Sequence, residues 1–79
     1  MILQVKLFAT LRRRYPRFGI GEPMPVEVPD GVTIRELVEH LRLPVKEVKI
    51  VFVNGIARGE EFTLSDGDEL GIFPPVGGG

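Results

Sequence analysis

The stretch "VTIRELVEHLRL" (32–43) is the clearest helical pattern in the chain, and it constrains everything around it. Ile34, Leu37, Val38 and Leu41 recur at the spacing of one apolar stripe. Thr33 and Glu36 stand three apart as a capping box, in which the hydroxyl and the carboxylate each satisfy an orphan backbone donor of the first turn. Pro44 is expected to stop the helix soon after, and His40 falls on the helix surface. A helix with one apolar face must bury it against another layer. The rest of the chain offers only strands for that purpose.

"MILQVKLF" alternates, with Met1, Leu3, Val5 and Leu7 on one face and Ile2, Gln4, Lys6 and Phe8 on the other, so the first set is the core face. "ATLRRRYPRFGIGEP" has no sustained period and reads as a loop, with room for a short helical turn. "MPVEVP" reads as a second strand, with Pro25 near an edge or a strand start, and "PDG" ends it. "KIVFVNG" is rich in β-branched residues and closes on Asn54-Gly55, a strong hairpin signal, after which "IARG" pairs back briefly. The turn "SDGD" leads into "ELGIF", where Leu70 and Ile72 face inward and Glu69, Gly71 and Phe73 outward. Pro74 and Pro75 end that ladder because neither has a backbone donor. The order strand, strand, helix, strand, short strand, strand predicts an α+β domain: one helix across one face of a small mixed sheet, the other face open to water.

At 79 residues the chain has room for a single domain, 1–79, without internal repeat or linker. With no cysteine it has no disulfide, thiolate metal site or thiol chemistry of its own, and a lone histidine excludes a histidine metal cluster. Seven prolines and ten glycines punctuate the periodic segments without forming a low-complexity tract. A net charge of −1 argues against a nucleic-acid binder, and "MILQVKLF" is too short and too interrupted for a signal peptide or membrane span. The expected setting is cytoplasmic.

The chain closes on "FPPVGGG". Folding asks for no glycine there, since glycine carries the largest backbone entropy of any residue, so the tail needs an explanation outside the fold. The element order, "LFATLR" after the first strand, "VNG" in the central hairpin and "LSDGDELGIFPPVGGG" at the end together resemble the ubiquitin-like β-grasp fold, and within it the small sulfur-carrier subunit of molybdopterin synthase, the MoaD family. The "VGGG" ending also looks like the thiamine-pathway sulfur carriers, and "RRRYPRFGIGEP" is longer and more basic than the general pattern.

The resemblance implies a β-grasp domain with a flexible C-terminal Gly-Gly tail, 74–79 being an extended functional segment. It implies that an adenylating enzyme of the ubiquitin-activating type uses ATP to activate Gly79, next to Gly78, and that a sulfur donor protein converts the adenylate to a thiocarboxylate. The tail then enters the large subunit of molybdopterin synthase, whose side chains catalyse transfer to a pterin, within a complex of two large and two small subunits. This chain is then a non-catalytic carrier that binds no cofactor or metal, in keeping with the lack of any Ser/His/Asp or paired-carboxylate constellation. Only glycine lets a backbone thread a narrow channel to a nucleotide. Pro74 and Pro75 stiffen the root of the tail, and Val76 and Gly77 continue it. Thiolation of tRNA, the thiamine pathway and conjugation to target lysines use the same activated terminus.

Phe8, Ile50, Phe52 and Phe73 fall on the open face of the sheet, beside the root of the tail. Three of the five phenylalanines on one wet face make a docking patch for the adenylating enzyme and the large subunit in turn; the alternative is that the 10–25 segment folds over them as core. Arg12, Arg13, Arg14 and Arg17, interleaved with Tyr15 and Phe18, have the composition of an RNA or phosphate patch and equally that of a solvated loop or a rim matching an acidic partner, which balanced charge favours. "FGIG" does not lead from a strand into a helix and fails as a phosphate loop, and "SDGD" lacks the distal glutamate of a calcium loop. Lys46 and Lys49 are acceptors only if the protein forms chains, and otherwise surface lysines.

Overall fold

The computed structural model describes residues 1–17, 19 and 21–75. Among these residues five strands, β1 (Ile2–Leu7), β2 (Met24–Glu27), β3 (Ile50–Val53), β4 (Ile56–Arg58) and β5 (Glu69–Phe73), accompany one α-helix, α1 (Ile34–His40), and 3₁₀ helices at Ala9–Arg14 and Val45–Glu47. The sheet order is β2-β1-β5-β3-β4. β1 and β5 run parallel, and every other neighbouring pair is antiparallel. This is the mixed sheet with one helix of the expected β-grasp arrangement, and it makes the last strand the middle one.

Alternation decides which side chains meet α1. Leu3, Val5 and Leu7 of β1, Met24 and Val26 of β2, Val51 and Val53 of β3, and Leu70 and Ile72 of β5 are all buried, and they share one core with Ile34, Leu37, Val38 and Leu41. The inward faces of β1 and β5 agree with the period-two reading.

The capping box is formed as expected: Glu36 N donates to Thr33 Oγ1 at 3.2 Å and Thr33 N to Glu36 Oε1 at 2.9 Å. The end of the helix differs from the expectation that Pro44 stops it. Arg42 turns into the left-handed region at φ 57°, its N–H donates to Glu39 O at 3.0 Å, and Leu43 N donates to Val38 O at 3.1 Å. These two bonds define a Schellman motif, which closes the helix before Pro44 is reached. Leu43 and Val38, both buried, supply its apolar contact.

The segment after β1 is more ordered than a loop. Its 3₁₀ helix buries Leu11 completely, and Tyr15 Oη donates to Leu41 O at 3.0 Å. Arg14 pairs with Glu47 at 3.5 Å. The described part of 10–25 is thereby tied to the end of α1, on the helix side of the sheet. Phe18 lies outside the described residues.

At the opposite end of the strands, "SDGD" joins three elements. Ile2 N donates to Asp66 Oδ1 at 2.7 Å and Gly67 N to Ile2 O at 2.8 Å. Asp68 accepts from Ser65 N at 2.8 Å and from Asn54 Nδ2 at 3.0 Å, and Asn54 Oδ1 accepts from Glu69 N at 2.9 Å. Asn54 and Gly55 have φ of 51° and 85°, the pair of positive values that a tight hairpin of this hand requires. The hairpin signal and the acidic turn thus belong to one junction.

Candidate functional site

β5 emerges from the middle of the sheet. Its final ladder bond runs from Lys49 N to Phe73 O at 2.8 Å, and Phe8 N donates to Ile72 O at 3.1 Å on the other side. Phe73 is opposite Ile50 in register. Pro74 has no N–H with which to extend the ladder, so the chain leaves the sheet between the flanks set by Phe8 and Ile50.

The structure brings the predicted patch together. The Phe8 and Phe73 rings stack with centroids 4.1 Å apart and planes 5° from parallel, and Phe52 meets Phe73 edge to face at 5.6 Å. The three rings are half-buried, largely against one another, while Ile50 is exposed at 41%. They are therefore less open than strand alternation alone predicts. Each aromatic pair contributes about 0.5–1.5 kcal/mol beyond the area it buries, so the cluster stabilises the sheet as well as presenting an apolar surface.

Gly71 was read only as an outward-facing position, and its contribution is larger. A Cβ there would stand 3.3 Å from Phe8 Cε2 and 3.4 Å from Phe73 Cε1, so the bare backbone is what lets the edges of both stacked rings approach the sheet. The available signal was a glycine inside a strand pattern, which marks a close approach. Ala9 was also missed: it follows Phe8 directly and holds φ 51°, turning the chain off the strand and into the 3₁₀ helix.

Beside the rings runs an open groove of about 750 Å³ lined by Ile50, Phe52, Phe73, Pro74 and Pro75, with Val45, Val48, Lys46 and Lys49 as its far wall. Pro74 is half-buried and Pro75 exposed. The groove thus leads along the aromatic cluster to the root of the tail. Val76, Gly77, Gly78 and Gly79 lie outside the described residues.

Of the other candidates, Lys46 and Lys49 line the groove, and none joins the aromatic cluster itself. The arginines of 12–17 are dispersed, Arg14 being paired with Glu47 while Tyr15 is bonded to the end of α1. Gly19 N donates to Glu22 Oε1 at 2.7 Å in a turn, and "SDGD" is used up in the junction described above. Lys46, Lys49 and His40 are exposed. Among the described residues no group of three or more His, Cys, Asp or Glu is placed to hold a metal ion, and no helix is long and apolar enough to cross a membrane.

The arrangement has a chemistry of presentation: an apolar platform, a groove and a chain end leaving beside them. Solved structures share the fold. A protein described as subunit 1 of a molybdopterin converting factor from Pyrococcus furiosus is 26% identical, with 96% of this chain and 99% of that chain covered at a TM-score of 0.76. SAMP1 from Haloferax volcanii is 28% identical over the whole of both chains at a TM-score of 0.72. A complex of subunits 1 and 2 of the Helicobacter pylori molybdopterin-converting factor, at 20% identity, full coverage of both chains and a TM-score of 0.62, has the same fold. Among curated protein sequences none matches. The model of the ThiS family matches residues 5–79, from the first strand through the glycines. With that match spanning the sheet, the aromatic platform and the tail, the chain belongs to the ThiS family of ubiquitin-like sulfur carriers.

Proposed function

We propose that this protein is the sulfur-carrying small subunit of a molybdopterin synthase, with Gly79 as the residue that is activated and thiolated. The observation that carries the reading is the exit of the central strand β5 through Pro74 and Pro75 beside the Phe8–Phe52–Phe73 platform. A partner that grips the platform receives the following residues in a fixed direction. Fully extended, six residues reach about 20 Å, enough to enter a neighbouring active site while the domain stays outside.

The chemistry follows from the inertness of a carboxylate. Its negative charge repels nucleophiles and its oxygen is a poor leaving group. Attack by the Gly79 carboxylate on the α-phosphate of ATP expels pyrophosphate and leaves an acyl-adenylate, so that AMP becomes the leaving group. The terminal sulfur of a donor persulfide attacks the acyl carbon and expels AMP, and a thiol cleaves the resulting acyl disulfide to release the thiocarboxylate. The acyl carbon is reached only if the flanking residues are slim, which is the role of Gly77 and Gly78. This chain contributes the reacting carboxylate, the tail and the docking platform, and the acids and bases belong to its partners: the adenylating enzyme, the sulfur donor and the large synthase subunit. The likeness to subunit 1 of a converting factor supports the pterin acceptor and the large-subunit partner.

A second reading, a protein modifier that forms amide bonds with target lysines, is favoured by the likeness to SAMP1. A thiamine-pathway carrier would make the same thiocarboxylate. The intact mass of the protein after incubation with ATP, a sulfur donor and its adenylating enzyme tests the shared chemistry. The expected result is a gain equal to the exchange of one oxygen for sulfur, absent when Gly79 is deleted. No gain while a known carrier reacts in parallel overturns the reading. Thiolated protein mixed with the large subunit and a cyclic pyranopterin then separates the acceptors, since a sulfur-bearing pterin marks the first reading and lysine conjugates the second.

A further inference from the structure

The groove beside the tail root carries Lys46 and Lys49 and, among the described residues, has no carboxylate in its lining. A second open depression of about 540 Å³, at the 3₁₀ helix that follows Phe8, is lined by Arg12 and Arg13 with Ala9, Thr10 and Pro16. Of the carboxylates, Glu47 is paired with Arg14, Glu22 shares a cavity with Arg12 and accepts from Gly19 N, and Asp66 and Asp68 are engaged at the far end of the strands. Cations thus line both the groove beside the tail root and the depression at the helix that follows Phe8, although the chain as a whole has a net charge of −1.

We propose that Lys46 and Lys49 in the groove and Arg12 and Arg13 in the depression form a cationic frame that recognises a protein surface with an apolar socket rimmed by carboxylates. The inference rests on the carrier reading and adds the chemistry of the partner's surface. Two clusters of one sign steer encounter from a distance, because the field of several like charges extends over a Debye length of about 10 Å at 0.1 M salt. The apolar cluster then supplies the short-range contact. A protein is favoured over RNA as the occupant because the chain has a net charge of −1 and the groove between the rings and the lysines is apolar, lined by Val45, Val48, Ile50 and the two prolines.

The test is the association rate constant of the full-length protein with its adenylating enzyme, read from about 0.02 to about 0.5 M salt, for wild type, Lys49→Glu, Arg13→Glu and, as a control of equal charge change, Arg35→Glu on α1. All three positions are exposed, and thermal unfolding confirms that each variant is folded. The expected result is a wild-type rate that falls about tenfold or more with salt, together with low-salt rates about tenfold lower in Lys49→Glu and Arg13→Glu and within about twofold in Arg35→Glu. Three results overturn the proposal: a rate indifferent to salt and to all three reversals, equal loss in all three, or tighter retention at low salt by single-stranded RNA than by the enzyme. Tail thiolation measured in the same samples at saturating enzyme distinguishes the two readings: normal thiolation with salt-independent association removes the frame and leaves the carrier, and absence of both association and thiolation removes both.

Discussion

Phe8 and Phe73 lie face to face, 4.1 Å apart, across the junction of the first and last strands. They are far apart in sequence and become neighbours only because β1 and β5 pair in parallel, Leu7 opposite Ile72. The stack closes the end of the central strand and sets the surface from which the tail departs.

That stack depends on the absence of a side chain beneath it. Gly71→Ala places a methyl against both rings, which must give by a few tenths of an ångström, and stability is expected to stay within about 1 kcal/mol of wild type because alanine also lowers the entropy of the unfolded chain. Gly71→Val adds two further carbons and lifts the rings. It is expected to weaken partner binding at least about tenfold, corresponding to about 1.4 kcal/mol, with unfolding still cooperative. Calorimetric titration with the partner, alongside thermal unfolding, reads both effects.

Phe73→Asp removes both aromatic pairs and places a charge in the platform. The lost ring contacts cost about 1–3 kcal/mol together, so the variant is expected to melt lower yet cooperatively, while binding to the adenylating enzyme and the large subunit disappears. Loss of cooperative unfolding would show that the cluster is core first and docking surface second.

Asn54 is expected to matter for stability and not for docking. Its side chain donates to Asp68 and accepts from Glu69 N, and its φ of 51° is one that asparagine tolerates better than alanine. Asn54→Ala is expected to cost about 2–3 kcal/mol, lowering the melting temperature by about 10–20 °C in a domain of this size. Partner affinity measured well below that temperature should be unchanged, because the junction lies at the opposite end of the strands from Phe73.

The two ends of α1 respond in opposite directions. Thr33→Ala removes half of the capping box and is expected to cost about 1 kcal/mol. Arg42→Gly relieves a left-handed backbone at an exposed position and is expected to gain about 0.5–1 kcal/mol. Chemical denaturation of the two variants in parallel checks the sign of each.

The division between what was legible and what was not follows the range of the interactions involved. The apolar stripe of α1, its Thr33–Glu36 cap, the Asn54-Gly55 hairpin and the inward faces of β1 and β5 are set by residues within a few positions of one another, so the sequence by itself determined them. Period two also sent Phe8, Phe52 and Phe73 to the same side of the sheet. Their meeting was decided by strand order, which depends on pairing between the two ends of the chain. The close approach at Gly71 rests on that same pairing, the clamp between Asn54 and Asp68 on the antiparallel pairing of β3 with β5, and the burial of Leu11 on the packing of its 3₁₀ helix into the common core. Even the end of α1, expected at Pro44, was drawn earlier by Leu43, whose side chain is buried in the common core and whose N–H returns to Val38. Local physics chose the elements and their faces. Tertiary packing chose their neighbours, and the aromatic platform is made of neighbours.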